Sequence, residues 1–181
     1  MHRTHRVETA RLALQDLVPS DAGAMFSYRG DPLVSRYQSF RPHSIAEVER
    51  FIKRSSGNFN VEGTWHQVGI FLDGTLIGDI GIHFIGPDNT QCEIGYTLAP
   101  DRQGKGLAAE AVSGVIDYLF STLGKHRCLA SIDPDNAPSL RLVEKLGFRK
   151  EAHFRKSVLV DGAWRDDLVY GLLAEEWKGN R

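Results

Sequence analysis

Gln103-Gly104-Lys105-Gly106-Leu107-Ala108 lies between a strand-like run, Cys92 to Leu98, and a long helical pattern. Closely spaced glycines let successive backbone N–H groups converge on an anion without Cβ interference, and the start of the following helix adds positive potential. The stretch therefore has the makings of a pyrophosphate cradle. A nucleotide P-loop is excluded, because Ala99 stands where its first glycine belongs and Gly106 where Ser or Thr must follow the lysine. Gly104, Gly106 and Ala109 do match the dinucleotide pattern G-x-G-x-x-A, and the next strand pattern ends at Asp133. Against that reading, Ala99 to Gln103 separates Leu98 from Gly104, and the preceding sequence reads as antiparallel hairpins. A nicotinamide-dependent enzyme stays as the minor alternative. A glycine pair that merely opens a helix must carry glycine in the first turn, at roughly 1 kcal/mol against alanine.

Downstream, apolar residues from Leu107 through Leu123 recur at three- and four-residue spacing, so one helix face packs on a sheet, with Gly124 as its cap. Arg127 to Ile132 reads as a short buried strand ending at the turn Asp133-Pro134-Asp135-Asn136. Asn136 or Asp135 then caps a helix from Pro138 to Leu146, which Gly147 stops.

Upstream, Arg11 to Asp16 is a first strand, and Ser20 to Tyr28 and Ser44 to Lys53 are helices separated by a break at Asp31-Pro32. Trp65 to Leu72, Leu76 to Phe84 and Cys92 to Leu98 alternate as antiparallel strands, with Asp73-Gly74 as a tight turn. A last hairpin turns at Asp161-Gly162.

A chain of 181 residues is expected to form one domain with a full core. Its net charge of −1 argues against a nucleic-acid or membrane partner, since phosphate neutralisation needs clustered Lys and Arg in excess. With no apolar leader or spanning run, a cytoplasmic location is expected. Cys92 and Cys128 read as small buried side chains, and among the seven histidines His2 and His5 form the only close pair, so no metal site is expected.

Gln103-x-x-Gly106-x-Ala108, followed by Asn136-x-x-Ser139 and Glu144-Lys145-Leu146-Gly147-Phe148, resembles the Gcn5-related N-acetyltransferase (GNAT) superfamily and its acetyl-CoA signature. Glu8-Thr9-Ala10-Arg11-Leu12 with Asp21, then Asp161-Gly162, Asp167-Leu168-Val169-Tyr170 and Glu175-Glu176-Trp177, are similar to its RimJ/RimL branch of ribosomal-protein N-terminal acetyltransferases. The resemblance implies an α+β fold, with a mixed, mostly antiparallel, twisted sheet of about seven strands and helices on both faces. It also implies that the strands holding Tyr96 and Ala130 splay apart to admit the pantetheine arm, and that the protein forms a homodimer.

Acyl transfer to an amine needs a neutral acceptor, a polarised thioester carbonyl and a donor to the leaving thiolate. The resemblance assigns polarisation to backbone N–H groups of Tyr96 to Leu98. The tyrosine that much of the superfamily offers the leaving group is replaced here by Val143, and Ser139 matches the serine of the RimJ/RimL branch. Ser139 equally suits a helix first turn. Glu93 is the candidate for ordering a water that takes the ammonium proton, with His83 and His66 as lesser candidates; an exposed strand carboxylate is its plain reading.

The backbone of Gln103, Gly104, Lys105, Gly106, Leu107, Ala108 and Ala109 is expected to hold the pyrophosphate, with Lys105 and Arg102 adding charge. Asn136 is expected to bond the pantetheine or cap its helix, and Arg141 and Lys145 share a helical face within reach of a 3′-phosphate. The acceptor expected from the branch is a protein or peptide N-terminal α-amine. A small-molecule amine and a non-catalytic acyl-CoA sensor are the other readings. The segment from Asp31 to Gly63 and the loop after Phe84 must decide; they hold Tyr37, Phe40, Phe51 and Phe59 and no concentrated acidic patch.

Overall fold

The computed structural model describes residues 5–55 and 59–179, so His2 of the expected histidine pair lies outside the described residues. Eight strands form one sheet: β1 (Arg6–Glu8), β2 (Leu12–Asp16), β3 (Trp65–Leu72), β4 (Thr75–Ile85), β5 (Gln91–Leu98), β6 (Arg127–Ile132), β7 (Arg149–Val160) and β8 (Ala163–Leu173). Their order is β1-β2-β3-β4-β5-β6-β8-β7, and every neighbouring pair is antiparallel except β5 with β6. The strand beyond the expected seven is β1, whose three residues pair with Ala13 to Gln15 and are too few to alternate visibly in sequence. The antiparallel run β3-β4-β5 leaves no parallel repeat ahead of the glycine loop, which removes the dinucleotide reading.

The hairpin turns follow from left-handed backbone at Asp73 (φ 48°) with Gly74 (φ 77°), and at Asp161 (φ 50°) with Gly162 (φ 75°). Helices cover both faces: α1 (Ala22–Arg29), α2 (Pro32–Ser35) and α3 (Ile45–Ser55) before β3, then α4 (Leu107–Asp117), α5 (Ala137–Lys145) and α6 (Ala174–Gly179). Asp31-Pro32 does more than break the chain. Asp31 accepts the Leu33 N–H at 2.8 Å and Pro32 fits the first turn, so α2 starts there.

The helix predicted through Leu123 is α-helical only to Asp117 and closes in a π turn, Tyr118–Thr122, before Gly124 at φ 66°. Its apolar stripe, with Val112, Ile116 and Leu119 fully buried, packs on Ile80, Ile82, Phe84 and Ile94 of the sheet. On the opposite face Met25, Tyr28, Val48 and Ile52 of α1 and α3 pack with Leu17, Phe71 and Leu76. A bulge at Ile70/Phe71 breaks strict alternation there. No helix among the described residues is long and apolar enough to cross a membrane.

Candidate active site

β5 and β6 stay paired for only three residues, Gln91↔Arg127, Cys92↔Cys128 and Glu93↔Leu129, and then diverge. On the other side β5 remains paired with β4 as far as Gly78↔Leu98, and the Ala99 N–H still reaches the Ile77 carbonyl at 2.8 Å. In an antiparallel strand the N–H and C=O of one residue point the same way and successive residues alternate. Since Ala99 faces β4, Tyr96 and Leu98 direct their backbone groups into the gap. Two side-chain amides occupy their carbonyls: Gln38 Nε2 donates to Tyr96 at 3.3 Å and Gln103 Nε2 to Leu98 at 3.0 Å.

The gap opens into a cleft of about 450 Å³. Tyr96, Leu98, Gln103, Gly104, Gly106, Leu107, Ala108, Ala109, Asn136 and Ser139 all line it, as do Arg141 and Lys145. Gly104 and Gly106 have φ of 74° and 76°, a region L side chains rarely adopt, and a Cβ on Gly104 would project into open space. This donor-rich backbone ahead of the α4 N-terminus suits a diphosphate. Of the residues expected to hold the cofactor, Lys105 does not line the cleft: its ammonium donates to the Asp101 carbonyl at 2.8 Å. Arg102 likewise turns to the Asp101 carboxylate at 3.0 Å.

Asn136 accepts the Ser139 N–H at 3.3 Å and so caps α5. The Tyr96 hydroxyl donates to the Ser139 carbonyl at 3.2 Å, bridging β5 and α5 across the cleft. Burial pushes the Tyr96 phenol up to about 12, against the opposing pull of a hydrogen bond with the Ser139 side chain, so at neutral pH it is a hydrogen-bond donor and not a base. Val143, where a tyrosine would stand, is fully buried.

A second cavity, of about 480 Å³, lies on the other face of β5 between α1, α3 and the sheet. Gln38 borders both cavities. The floor is glycine: Gly81 pairs with Gly95, and a Cβ on Gly81 would come within 3.3 Å of the Trp65 ring. Phe40 and Phe51, stacked at 4.0 Å, form one wall. Arg29 backs it, buried and held by Asp79 through Nε at 3.0 Å and Nη2 at 2.6 Å, while Tyr28 and Gln67 also donate to Asp79.

Glu93 shares this face with Gly95, because strand residues two apart point the same way. It therefore stands on the opposite side of β5 from the Tyr96 side chain. His83, directly across in the register, approaches it at 3.7 Å, and Trp65 stacks on His83 at 4.6 Å. Burial raises the Glu93 carboxyl above its ordinary range, partly countered by His83.

Residues 11–149 match the model of the acetyltransferase (GNAT) domain. The chain belongs to the GNAT acetyltransferase family. This acetyltransferase is 33% identical to N-acetyltransferase p20 of Bacillus licheniformis over 173 residues, covering 94% of the chain and 97% of that protein. It is 38% identical over 90 residues to the ribosomal protein uS5-alanine N-acetyltransferase of Escherichia coli, covering 50% of the chain and 46% of that enzyme. Among solved structures, Mycobacterium smegmatis RimJ in complex with CoA-disulfide superposes with a TM-score of 0.87 at 26% identity, covering 97% of this chain and 91% of RimJ.

Several groups of the acetyltransferase escape sequence reading because their partners are remote. Glu110 on α4 accepts from Thr9 Oγ1 at 2.6 Å and from Arg11 N and Nε at 2.7 and 2.6 Å, while Arg11 Nη1 reaches the Lys105 carbonyl at 3.2 Å. The opening motif thus braces the glycine loop. Burial tends to raise the Glu110 carboxyl, but the Thr9 and Arg11 hydrogen bonds outweigh it and hold the group below the usual range. His66 is buried far from the cleft residues in sequence and bonds Asp16 at 2.8 Å; His5 meets the same carboxylate at 3.1 Å. His5, Asp16 and His66 thus form a cluster that joins residues far apart in sequence. Cys92 and Cys128 are both free and fully buried.

Proposed function

We propose that this acetyltransferase moves an acetyl group from acetyl-CoA by direct attack onto a primary amine, the α-amine of a peptide or protein N-terminus. The observation that carries the reading is the meeting of two cavities at Gln38, one on each face of β5 where that strand leaves β6. Acetyl-CoA supplies the activated acetyl group. The loop Gln103–Ala109 binds its diphosphate through backbone N–H groups, and Arg141 and Lys145 add charge at the rim. The free N–H groups of Tyr96 and Leu98 polarise the acyl carbonyl.

The amine approaches from the Gly81/Gly95 side. Glu93, backed by His83, takes the ammonium proton through a water, and Ser139 donates from its hydroxyl to the departing sulfur. The Ser139 side chain lines the cleft and hydrogen-bonds the Tyr96 phenol, which places its hydroxyl beside β5 for that role.

An α-amine is favoured over a polyamine because no carboxylate among the described residues lines the acceptor cavity. Similarity over half of the chain to the ribosomal protein uS5-alanine N-acetyltransferase supports a protein acceptor. The test is acetylation, followed by mass spectrometry, of synthetic N-terminal peptides against spermidine, with Gly106→Glu as the control expected to lose acetyl-CoA binding in calorimetry. Turnover of spermidine with no peptide turnover would refute the α-amine assignment.

A further inference from the structure

The acceptor cavity carries one cation with nothing to neutralise it. Of its two arginines, Arg29 is spent on Asp79, while Arg54, in the last turn of α3, is exposed and has no carboxylate partner among the described residues. Arg41 at the same side of the sheet is also matched, by Asp161 of the β7–β8 hairpin. The remaining lining is neutral: glycine floor, aromatic wall, and the amides and hydroxyls of Gln38, Gln67 and Ser39. Such a lining attracts an acceptor with an anionic group and repels one with a second cation.

Resting on the α-amine reading above, we infer that the acceptor is an N-terminal segment bearing Asp or Glu within its first residues, and that Arg54 reads that carboxylate. A cavity of 480 Å³ is about 10 Å across, and extended chain covers roughly 3.3 Å per residue, so the acid falls within about three residues of the reacting amine. The Phe40–Phe51 stack and Trp65, whose ring is half-exposed over Gly81, take the aliphatic parts of the same segment.

The experiment compares three peptides with the same N-terminal residue and a Glu, Gln or Lys at the following two positions, using the full chain and its Arg54→Glu variant. kcat/KM is read for each peptide at low salt. The wild type is expected to favour Glu over Lys by about fivefold, within what an accessible ion pair supplies, and Arg54→Glu to invert that order. Because Arg54 is exposed, the variant is expected to fold, and circular dichroism checks this; the wild-type ranking and its loss at high salt are a second readout that needs no variant. Equal turnover of all three peptides, or a Glu preference unchanged in Arg54→Glu, overturns the inference and leaves the α-amine reading standing. Turnover of none of the three, with a simple alkylamine accepted, overturns both.

Discussion

Gln38 Nε2 donates to the backbone carbonyl of Tyr96 at 3.3 Å, and through this bond the loop after α2 touches β5 at the point where the strand passes from one cavity to the other. It occupies the outward lone pair of Tyr96 while leaving the neighbouring N–H free. Gln38→Ala removes one neutral hydrogen bond, about 1 kcal/mol, and is expected to lower kcat/KM for the amine about fivefold. Steady-state kinetics with each substrate varied in turn will show the loss in the amine, with the KM for acetyl-CoA little changed.

Ser139 and Asn136 separate function from capping. Asn136→Ala removes the side-chain acceptor of α5 and is expected to cost about 1 kcal/mol in urea denaturation. Ser139→Ala keeps the backbone N–H that Asn136 accepts, so stability should hold while kcat falls at least tenfold. Equal kcat in Ser139→Ala and wild type would return the serine to a purely structural role.

Glu93 makes opposite predictions for rate and stability. Its carboxyl is raised by burial, so the folded state holds the proton to higher pH than the unfolded chain does. Its favourable contribution is present below the unfolded value and lost as pH rises through the folded one. Glu93→Gln should therefore lose no stability at pH 8 relative to wild type. Wild-type kcat/KM should rise with pH through a limb above the ordinary carboxylate range of about 4.3, and the variant should lack that limb.

Arg11 and Glu110 brace the glycine loop from outside the cleft. Glu110→Gln keeps the shape but weakens charge-assisted bonds, and is expected to raise the KM for acetyl-CoA several-fold with a smaller change in kcat. The Glu110 carboxyl is held low, so its stabilisation is complete above the unfolded value and disappears as pH falls through the folded one. The stability gap between wild type and Glu110→Gln should accordingly close in acid, measured by thermal melts from pH 7 to pH 3.

Asp79 is fully buried and receives Tyr28, Arg29 and Gln67. Asp79→Ala strands the Arg29 guanidinium in the core beneath the cavity floored by Gly81 and Gly95. A loss of about 3–5 kcal/mol is expected in chemical denaturation, far more than for any cleft substitution.

What the sequence determined by itself is local. The left-handed glycines Gly104 and Gly106, the stripe from Leu107, the Asn136 cap and the two hairpin turns rest on residue types within a few positions of one another, and each appears where spacing and turn chemistry put it. The π turn after Asp117 and the extra strand β1 lie at the edge of that range, because a register change in a helix and a three-residue strand leave no period to read.

The cavity on the Gly81/Gly95 face of β5 was decided only by the tertiary structure. Gln38 and Tyr96 are 58 residues apart, Arg29 and Asp79 are 50, and Arg11 and Glu110 are 99. A lone Gln, Asp or Arg is ordinary in any sequence, and it acquires a role when the sheet register sets Gly81 beside Gly95 and His83 beside Glu93. Hydrogen bonds and charges act over a few ångströms of space, whereas sequence patterns report only neighbours along the chain.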